Sequence, residues 1–285
     1  MTAIRLDGTA VARGIYSQLK ARVAALGRRT VHPGLAVLRV GDDPASTSYL
    51  RNKVRACDEV GIRSEVHALA AGCEQGQMLA TLDRLNRDPG VHGILVQLPL
   101  PKHWDPALAA RAVAPEKDVD GLTWHSLGAL LTGHPLFEPC TPAGVIALLD
   151  HAGVAIDGRE AVVVGRSAIV GKPMALLLMA RGATITICHS RTAALGNHTR
   201  RADILVVAAG RPNLVGAGMM KPGAAVIDVG INRMPDGKLA GDVDFAAARE
   251  VAGWITPVPG GVGPMTVAML IANTVKAAEQ QADSR

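Results

Sequence analysis

Residues 162–173 read VVVGRSAIVGKP. A run of valines ending in glycine, followed by a stretch with Pro173 in its early turns, predicts a buried strand, a tight turn and then a helix. A helix starting at such a turn presents free backbone N–H groups and the positive end of its dipole, which suits a phosphate. The second glycine stands six positions after the first, however, and the middle glycine of the G-x-G-x-x-G fingerprint is missing. The stretch alone therefore leaves two readings open. It is a phosphate turn with Ser167 as a small hydrogen-bond donor, or a strand-to-helix turn with no ligand.

The chain on either side has the same rhythm. After EAVVVG come IVGKPMALLLMARG, ATITICH, a polar segment to Ala202, DILVVAAG and AAVIDVG. Continuous apolar runs bounded by glycine are the mark of strands buried on both faces, so this half predicts a doubly wound parallel sheet wrapped by helices. The first half alternates too, with GLAVLRVG, a helix from about Ser46, a run near Glu65 to Leu69, a helix around Met78 to Asn86 and the strand GILVQLPLP. It predicts a smaller α/β domain, joined near PCTPAG at residues 139–144. Apolar residues at Val267, Leu270, Ile271 and Val275 give the C-terminal tail helical spacing. The expected fold class is α/β with two domains: residues 1–140 plus 266–285, and residues 141–265.

The bulk properties narrow the function. A chain of 285 residues that is 48% hydrophobic can bury a core without disulfides or metal. Its four cysteines, Cys57, Cys73, Cys140 and Cys188, have no short paired spacing, and its nine histidines show no ligand spacing, so no metal is expected. The N-terminus carries Arg5 and Asp7 where a signal peptide would be apolar, and no membrane-length apolar run occurs, so a soluble cytoplasmic protein is expected. A net charge of +5 with only three Trp, two Tyr and two Phe argues against nucleic acid and suits small anions.

The second strand of the later half sharpens the ligand. A sheet that holds NAD usually carries an acidic residue about 20 positions beyond the turn, to bind the ribose hydroxyls. Here the region reads TITICHSRT, and no acid occurs between Arg181 and Ala202. Ser190, Arg191 and, in the turn, Arg166 stand instead, a set suited to an added ribose phosphate. This favours NADP over NAD. A second glycine-rich loop, TPVPGGVGPMT at 256–266, is either a close approach to a ligand or an ordinary turn.

In the first half, Tyr49 and Lys53 are four apart and share one face of the helix opened by Asp43-Pro44 or Ser46. Lys53 alone reads equally as a solvated lysine. Gln97, inside an apolar strand, reads as a satisfied core amide or a functional one. Asp120, in EKDVDGL, could belong simply to a turn with Gly121.

Taken together and in order, DPAS…Y…K, GILVQLPLP, KDVDG, PCTP, GRSAIVGKP, ADILVVAAGRP, VIDVGIN and TPVPGGVGPMT resemble the bifunctional methylenetetrahydrofolate dehydrogenase/cyclohydrolase family across nearly the whole chain. The resemblance implies two domains with a cleft between them, a last helix returning to the first domain, and a homodimer. It also implies a reaction. Hydride passes from methylenetetrahydrofolate to NADP, and water then opens the methenyl cation to 10-formyltetrahydrofolate. By the same resemblance Lys53, helped by Gln97, manages the protons, Tyr49 lies in the folate cleft, and Asp120 grips the pterin. Pro259, Gly260, Gly261 and Val262 would line the substrate gap. Thr141, Gly165, Arg166, Ser167, Ser190, Arg191 and Ile231 would hold NADP. Ser126 departs from the family's usual Asn, and Ala129 from its common Arg. One rival reading is an NADP dehydrogenase for another small acid, which has no reason for Tyr49, Lys53, Gln97 and Asp120 together; the other is a nucleotide sensor without catalysis, which turnover of methylenetetrahydrofolate with NADP would separate.

Overall fold

A computed structural model describes residues 2–41 and 44–284, with the side chains of 44–49 and of 106 outside the described set. In chain order the elements are β1 (Ile4–Arg5), α1 (Gly8–Arg28), β2 (Gly34–Val40), α2 (Pro44–Val60), β3 (Arg63–Leu69), α3 (Gln75–Arg87), β4 (Gly93–Val96), α4 (Pro106–Ala112), α5 (Trp124–Leu131) and α6 (Cys140–His151). They continue with β5 (Glu160–Val164), α7 (Gly171–Ala180), β6 (Thr184–Cys188), α8 (Leu195–Thr199), β7 (Ile204–Val207), β8 (Ala225–Asp228), β9 (Asn232–Arg233), β10 (Leu239–Ala240), α9 (Phe245–Ala248), β11 (Trp254–Ile255) and α10 (Val262–Asp283). The chain forms two compact units. One holds residues 13–140 and 267–285, the other residues 1–12 and 141–266, so the chain passes between them three times, after Ala12, Cys140 and Thr266.

In the first unit a parallel sheet of order β3-β2-β4 carries a core on each face. Side chains alternate across a strand, and β2 shows the result. Leu35 and Val37 pack with Leu19 and Leu26 of α1, Leu50 and Cys57 of α2, and Leu270, Ile271 and Val275 of α10. Ala36, Leu38 and Val40 face the other way, onto Met78, Leu82 and Leu85 of α3 and Ala109 of α4. Truncating a leucine as enclosed as Leu82 would cost about 2 to 5 kcal/mol. The strand expected over GILVQLPLP is shorter than its apolar run: it ends at Val96, and two prolines lie beyond.

The second unit is a six-stranded parallel sheet of order β1-β11-β8-β7-β5-β6. Val162, Val164, Leu205, Val207 and Val226 join one core, and the intervening Val163, Val206 and Ile227 are fully buried as well. Both faces are thus covered, as the unbroken apolar runs predict. The strand on the outer side of β11 comes from the chain's start: β1 pairs in parallel with β11, Ile4 opposite Trp254 and Arg5 opposite Ile255. Residues 1–12 therefore belong with this sheet and not, as the sequence suggests, with the first domain. Counting only strands after residue 140, the order is the doubly wound 2-1-3-4-5. The winding reverses between β5 and β7, and ligands of such sheets bind at the carboxyl ends of the strands at that point.

Candidate active site

Each unit carries one candidate site. In the first, α2 is anchored by its apolar stripe, which leaves Lys53 half-buried beside the end of β4. The Lys53 ammonium donates to the Gln97 side-chain oxygen at 2.9 Å. Gln97 lies one residue past the strand and is half-buried, not a core residue. Its backbone N–H donates to the Leu38 carbonyl at 2.8 Å, and its side-chain NH₂ to the Leu98 carbonyl at 2.8 Å. The amide is thereby oriented, with its oxygen towards lysine. Tyr49 lies on α2, but its side chain is outside the described residues.

Asp120 completes this cluster electrostatically. Burial pushes the Lys53 ammonium below the ordinary lysine range, and the Asp120 charge opposes that. Burial likewise pushes Asp120 up, while Lys53 holds it down and Asp118 adds to the rise. Cys140, at the start of α6, is buried. Burial and then the Asp120 charge push its thiol well above the ordinary range, so it stays an S–H, donating to the Val119 carbonyl at 3.2 Å.

In the second unit the turn after β5 is built for close backbone approach. Gly165 has φ +140, and a Cβ there would run into the Ala208 carbonyl oxygen at the end of β7; a Cβ at Gly171 would run into the carbonyl of Gly165. The Ser167 hydroxyl oxygen accepts from the N–H groups of Val170 and Gly171, at 3.2 and 3.3 Å. With its lone pairs so engaged, its proton is left to donate outward. The Gly165 N–H donates to the Cys188 carbonyl at 2.8 Å, which sets the turn alongside the end of β6. Directly after that strand, exposed Ser190 and Arg191 follow, and the Arg191 N–H donates to His189 Nδ1 at 3.1 Å. Arg166 and Ser167 are exposed as well. A turn closed to any Cβ, a Ser167 hydroxyl left to donate outward and the exposed Arg166 and Arg191 fit a nucleotide diphosphate with a further phosphate.

Ile231, 43% exposed, follows β8, and its Cδ1 lies 3.9 Å from where a Cβ on Gly263 would stand. The PGGVG loop therefore abuts the VGIN turn. Pro259 is exposed and Val262 buried. Gly261 is packed so closely on Gly8 that a Cβ on Gly8 would run into its carbonyl, and the Thr9 N–H donates to the Gly260 carbonyl at 3.2 Å. Thr141 pairs with Thr266, their hydroxyls 2.9 Å apart.

With this geometry in hand, comparison with known families is decisive. The family "Tetrahydrofolate dehydrogenase/cyclohydrolase, catalytic domain" matches residues 6–120, and "Tetrahydrofolate dehydrogenase/cyclohydrolase, NAD(P)-binding domain" matches residues 139–282. The chain belongs to the tetrahydrofolate dehydrogenase/cyclohydrolase family. Among its relatives is the bifunctional protein FolD of Bordetella bronchiseptica, 59% identical over 282 residues, covering 99% of this chain and 100% of that one. Among solved structures, the FolD methylenetetrahydrofolate dehydrogenase/cyclohydrolase of Campylobacter jejuni superposes with a TM-score of 0.96 at 46% identity, covering 98% of this chain and 99% of that one. The Trypanosoma brucei enzyme, solved with NADP cofactor and inhibitor, gives 0.94 at 41% identity, with 98% of each chain covered.

Within this dehydrogenase/cyclohydrolase, several residues that frame the first site are not apparent from sequence. In KDVDG, buried Lys117 donates to the carbonyls of Leu85 and Asp88 at the end of α3, at 3.0 and 2.7 Å. Asp118 accepts from the N–H groups of Gly121, Leu122 and Thr123, and from the Ser126 hydroxyl at 2.6 Å. Gly121 has φ +70 and sits against the backbone of Phe137 to Pro139. Two of the motif's charges thus fold the turn, and Asp120 is the one left facing lysine. Ser126, the departure from the family pattern, is buried and works on the Asp118 anchor. Asn273 of α10 donates to the carbonyls of Val119 and Glu138, at 2.9 and 3.1 Å, tying together the segments that carry Asp120 and Cys140.

Proposed function

We propose that the chain oxidises 5,10-methylenetetrahydrofolate with NADP to the 5,10-methenyl form and hydrolyses that to 10-formyltetrahydrofolate. The observation that carries this reading is the Lys53–Gln97 hydrogen bond beside Asp120 in a chain that matches the family from end to end. NADP, when bound, accepts the hydride. Gly165, Arg166, Ser167, Ser190, Arg191, Ile231 and Thr141 are the residues proposed to hold it, and the fit of the Gly165 turn to a diphosphate supports them.

For the hydrolytic step, the lysine pushed below its ordinary range is suited to give and take protons. Gln97 fixes the nitrogen that does so. Asp120, with its loop pinned by Asp118, is proposed to hydrogen-bond the pterin ring, with Tyr49 and the Pro259–Val262 loop as further substrate contacts. Positioning is what hydride transfer mainly asks of the protein.

We further propose that the enzyme works as a homodimer in the cytoplasm. β3 is the outermost strand of its sheet and leaves Val66 39% exposed, an edge that a second copy can cover. Cys57, Cys73, Cys140 and Cys188 are all free thiols, which fits a reducing compartment. Among the described residues no helix is long and apolar enough to cross a membrane.

The test is turnover of methylenetetrahydrofolate with NADP and separately with NAD, followed by absorbance of the methenyl product and its decay. Failure to form it with either cofactor would overturn the reading.

A further inference from the structure

The nucleotide unit buries two carboxylates that neither proposed reaction uses, Asp228 at the end of β8 and Asp242 before α9, exposed by 3% and 0%. Asp242 accepts four hydrogen bonds. Three come from the consecutive backbone N–H groups of Ala209, Gly210 and Arg211, at 2.6, 2.8 and 2.9 Å, and the fourth from the Asn232 side chain at 2.8 Å. Three converging backbone donors form a concavity that attracts an anion, and here the protein's own carboxylate fills it.

Asp228 extends the same knot. It accepts from the N–H groups of Gly230, Asp242 and Val243, each at 2.9 Å, while its own N–H donates to the Thr256 hydroxyl at 2.7 Å. A Cβ on Gly230 would run into the Asp242 carboxylate, and one on Gly241 into that of Asp228. The arrangement therefore tolerates little displacement.

Two loops are joined by this knot. One begins at Ala208, whose carbonyl faces Gly165 at the point where the winding of the sheet reverses. The other is the VGIN turn, where both neighbours of Ile231 are held: Gly230 by Asp228 and Asn232 by Asp242. The Ile231 side chain stays exposed between two fixed points.

We infer that Asp242, backed by Asp228, is a positioning residue for the NADP side of the dehydrogenase step, aligning the loops after β7 and β8 and leaving hydrolysis untouched. The inference rests on the proposed NADP site. Water addition to the methenyl substrate consumes no nucleotide, so the second activity serves as an internal control that a general loss of folding would not spare.

The experiment uses the full-length enzyme with Asp242→Asn, and Asn232→Ala as a milder variant that leaves the three backbone bonds to Asp242 in place and removes the Asn232 side-chain bonds to Asp242 and to the Ala240 carbonyl. An asparagine at 242 turns an NH₂ towards backbone donors and loosens the loop. The expected result is a loss of about 10- to 100-fold in kcat/KM for NADP, with hydrolysis of methenyltetrahydrofolate supplied directly within about twofold of wild type. Should Asp242→Asn fail to fold, Asn232→Ala must show the same split at smaller size. Equal loss of both activities in folded protein, or no loss of either, overturns the inference. A wild type that oxidises nothing with NADP overturns the underlying reading instead, and the two failures are told apart by that measurement.

Discussion

Lys53 donates to Gln97 across 2.9 Å, and the amide is itself pinned through its NH₂ to the Leu98 carbonyl. The bond places the lysine nitrogen without setting a charge beside it. Its protonation state is then set by burial, which favours the neutral amine, against Asp120, which favours the ammonium.

Lys53→Met should nearly abolish hydrolysis and spare a measurable part of hydride transfer. Ring opening needs a proton removed from water and one delivered to nitrogen; hydride transfer needs neither. General acid–base catalysis is worth about 10²- to 10⁴-fold, so a loss of that order belongs to the hydrolytic step alone. Assaying both activities on one preparation checks it. Equal losses would reduce Lys53 to a positioning group.

Asp120→Asn should weaken folate binding by about 1.5 to 3 kcal/mol, the range for a hydrogen bond to a charged group, with NADP affinity unchanged by calorimetry. The substitution also removes the charge that holds the Lys53 pKa up. The basic limb of the hydrolysis rate profile should therefore move to lower pH. A limb that stays in place would show that Asp120 and Lys53 are not coupled.

Arg166→Ala should erase the preference for NADP over NAD, since the exposed Arg166 stands in the turn that the Gly165–Cys188 hydrogen bond sets alongside the end of β6, after which Ser190 and Arg191 follow. The ratio of kcat/KM for the two cofactors is the measurement. A wild-type ratio in the variant would move the ribose phosphate elsewhere.

Asp228 predicts an unusual pH dependence of stability. Burial, with Asp242 adding to it, pushes this carboxyl from 3.8 up to about 6. Between those values the folded chain holds a proton that the unfolded chain has released, so raising the pH lowers stability. The contribution is complete below 3.8 and is lost as the pH passes about 6, an effect of about 3 kcal/mol. Asp203, held below its ordinary range by Lys221, works in the opposite direction. Urea unfolding of wild type and Asp228→Asn from pH 3.5 to 7 cancels Asp203 and the other groups. A difference between the two proteins that is flat with pH would refute the assignment.

What can be read from the sequence follows how local each cause is. The apolar runs at Val162–Val164 and Ile204–Val207 mark strands because burial on both faces leaves no polar alternation, and the glycine turn at 165 sits where those runs end. Lys53 and Tyr49 are legible as a pair through helical spacing. Lys117, Asn273, Asp228 and Asp242 are not, because each owes its role to hydrogen-bond partners brought close only by folding: Asn273 serves carbonyls at Val119 and Glu138. The same holds for β1. Two residues have no periodicity, and Ile4–Arg5 is a strand only because β11 lies beside it.

That pairing also governs the order of events on the ribosome. The β1 segment leaves the exit tunnel long before its partner Trp254–Ile255 has been made. The six-stranded sheet cannot be completed while the chain is still being made, and contacts of such long sequence separation form late. Until then β11 is an open edge or not yet present. A fragment beginning at residue 141 would lack β1 and leave the two-residue β11 as the edge of its sheet, so the nucleotide-binding half, although continuous through its five later strands, is completed by residues that precede the whole of the other unit's first segment.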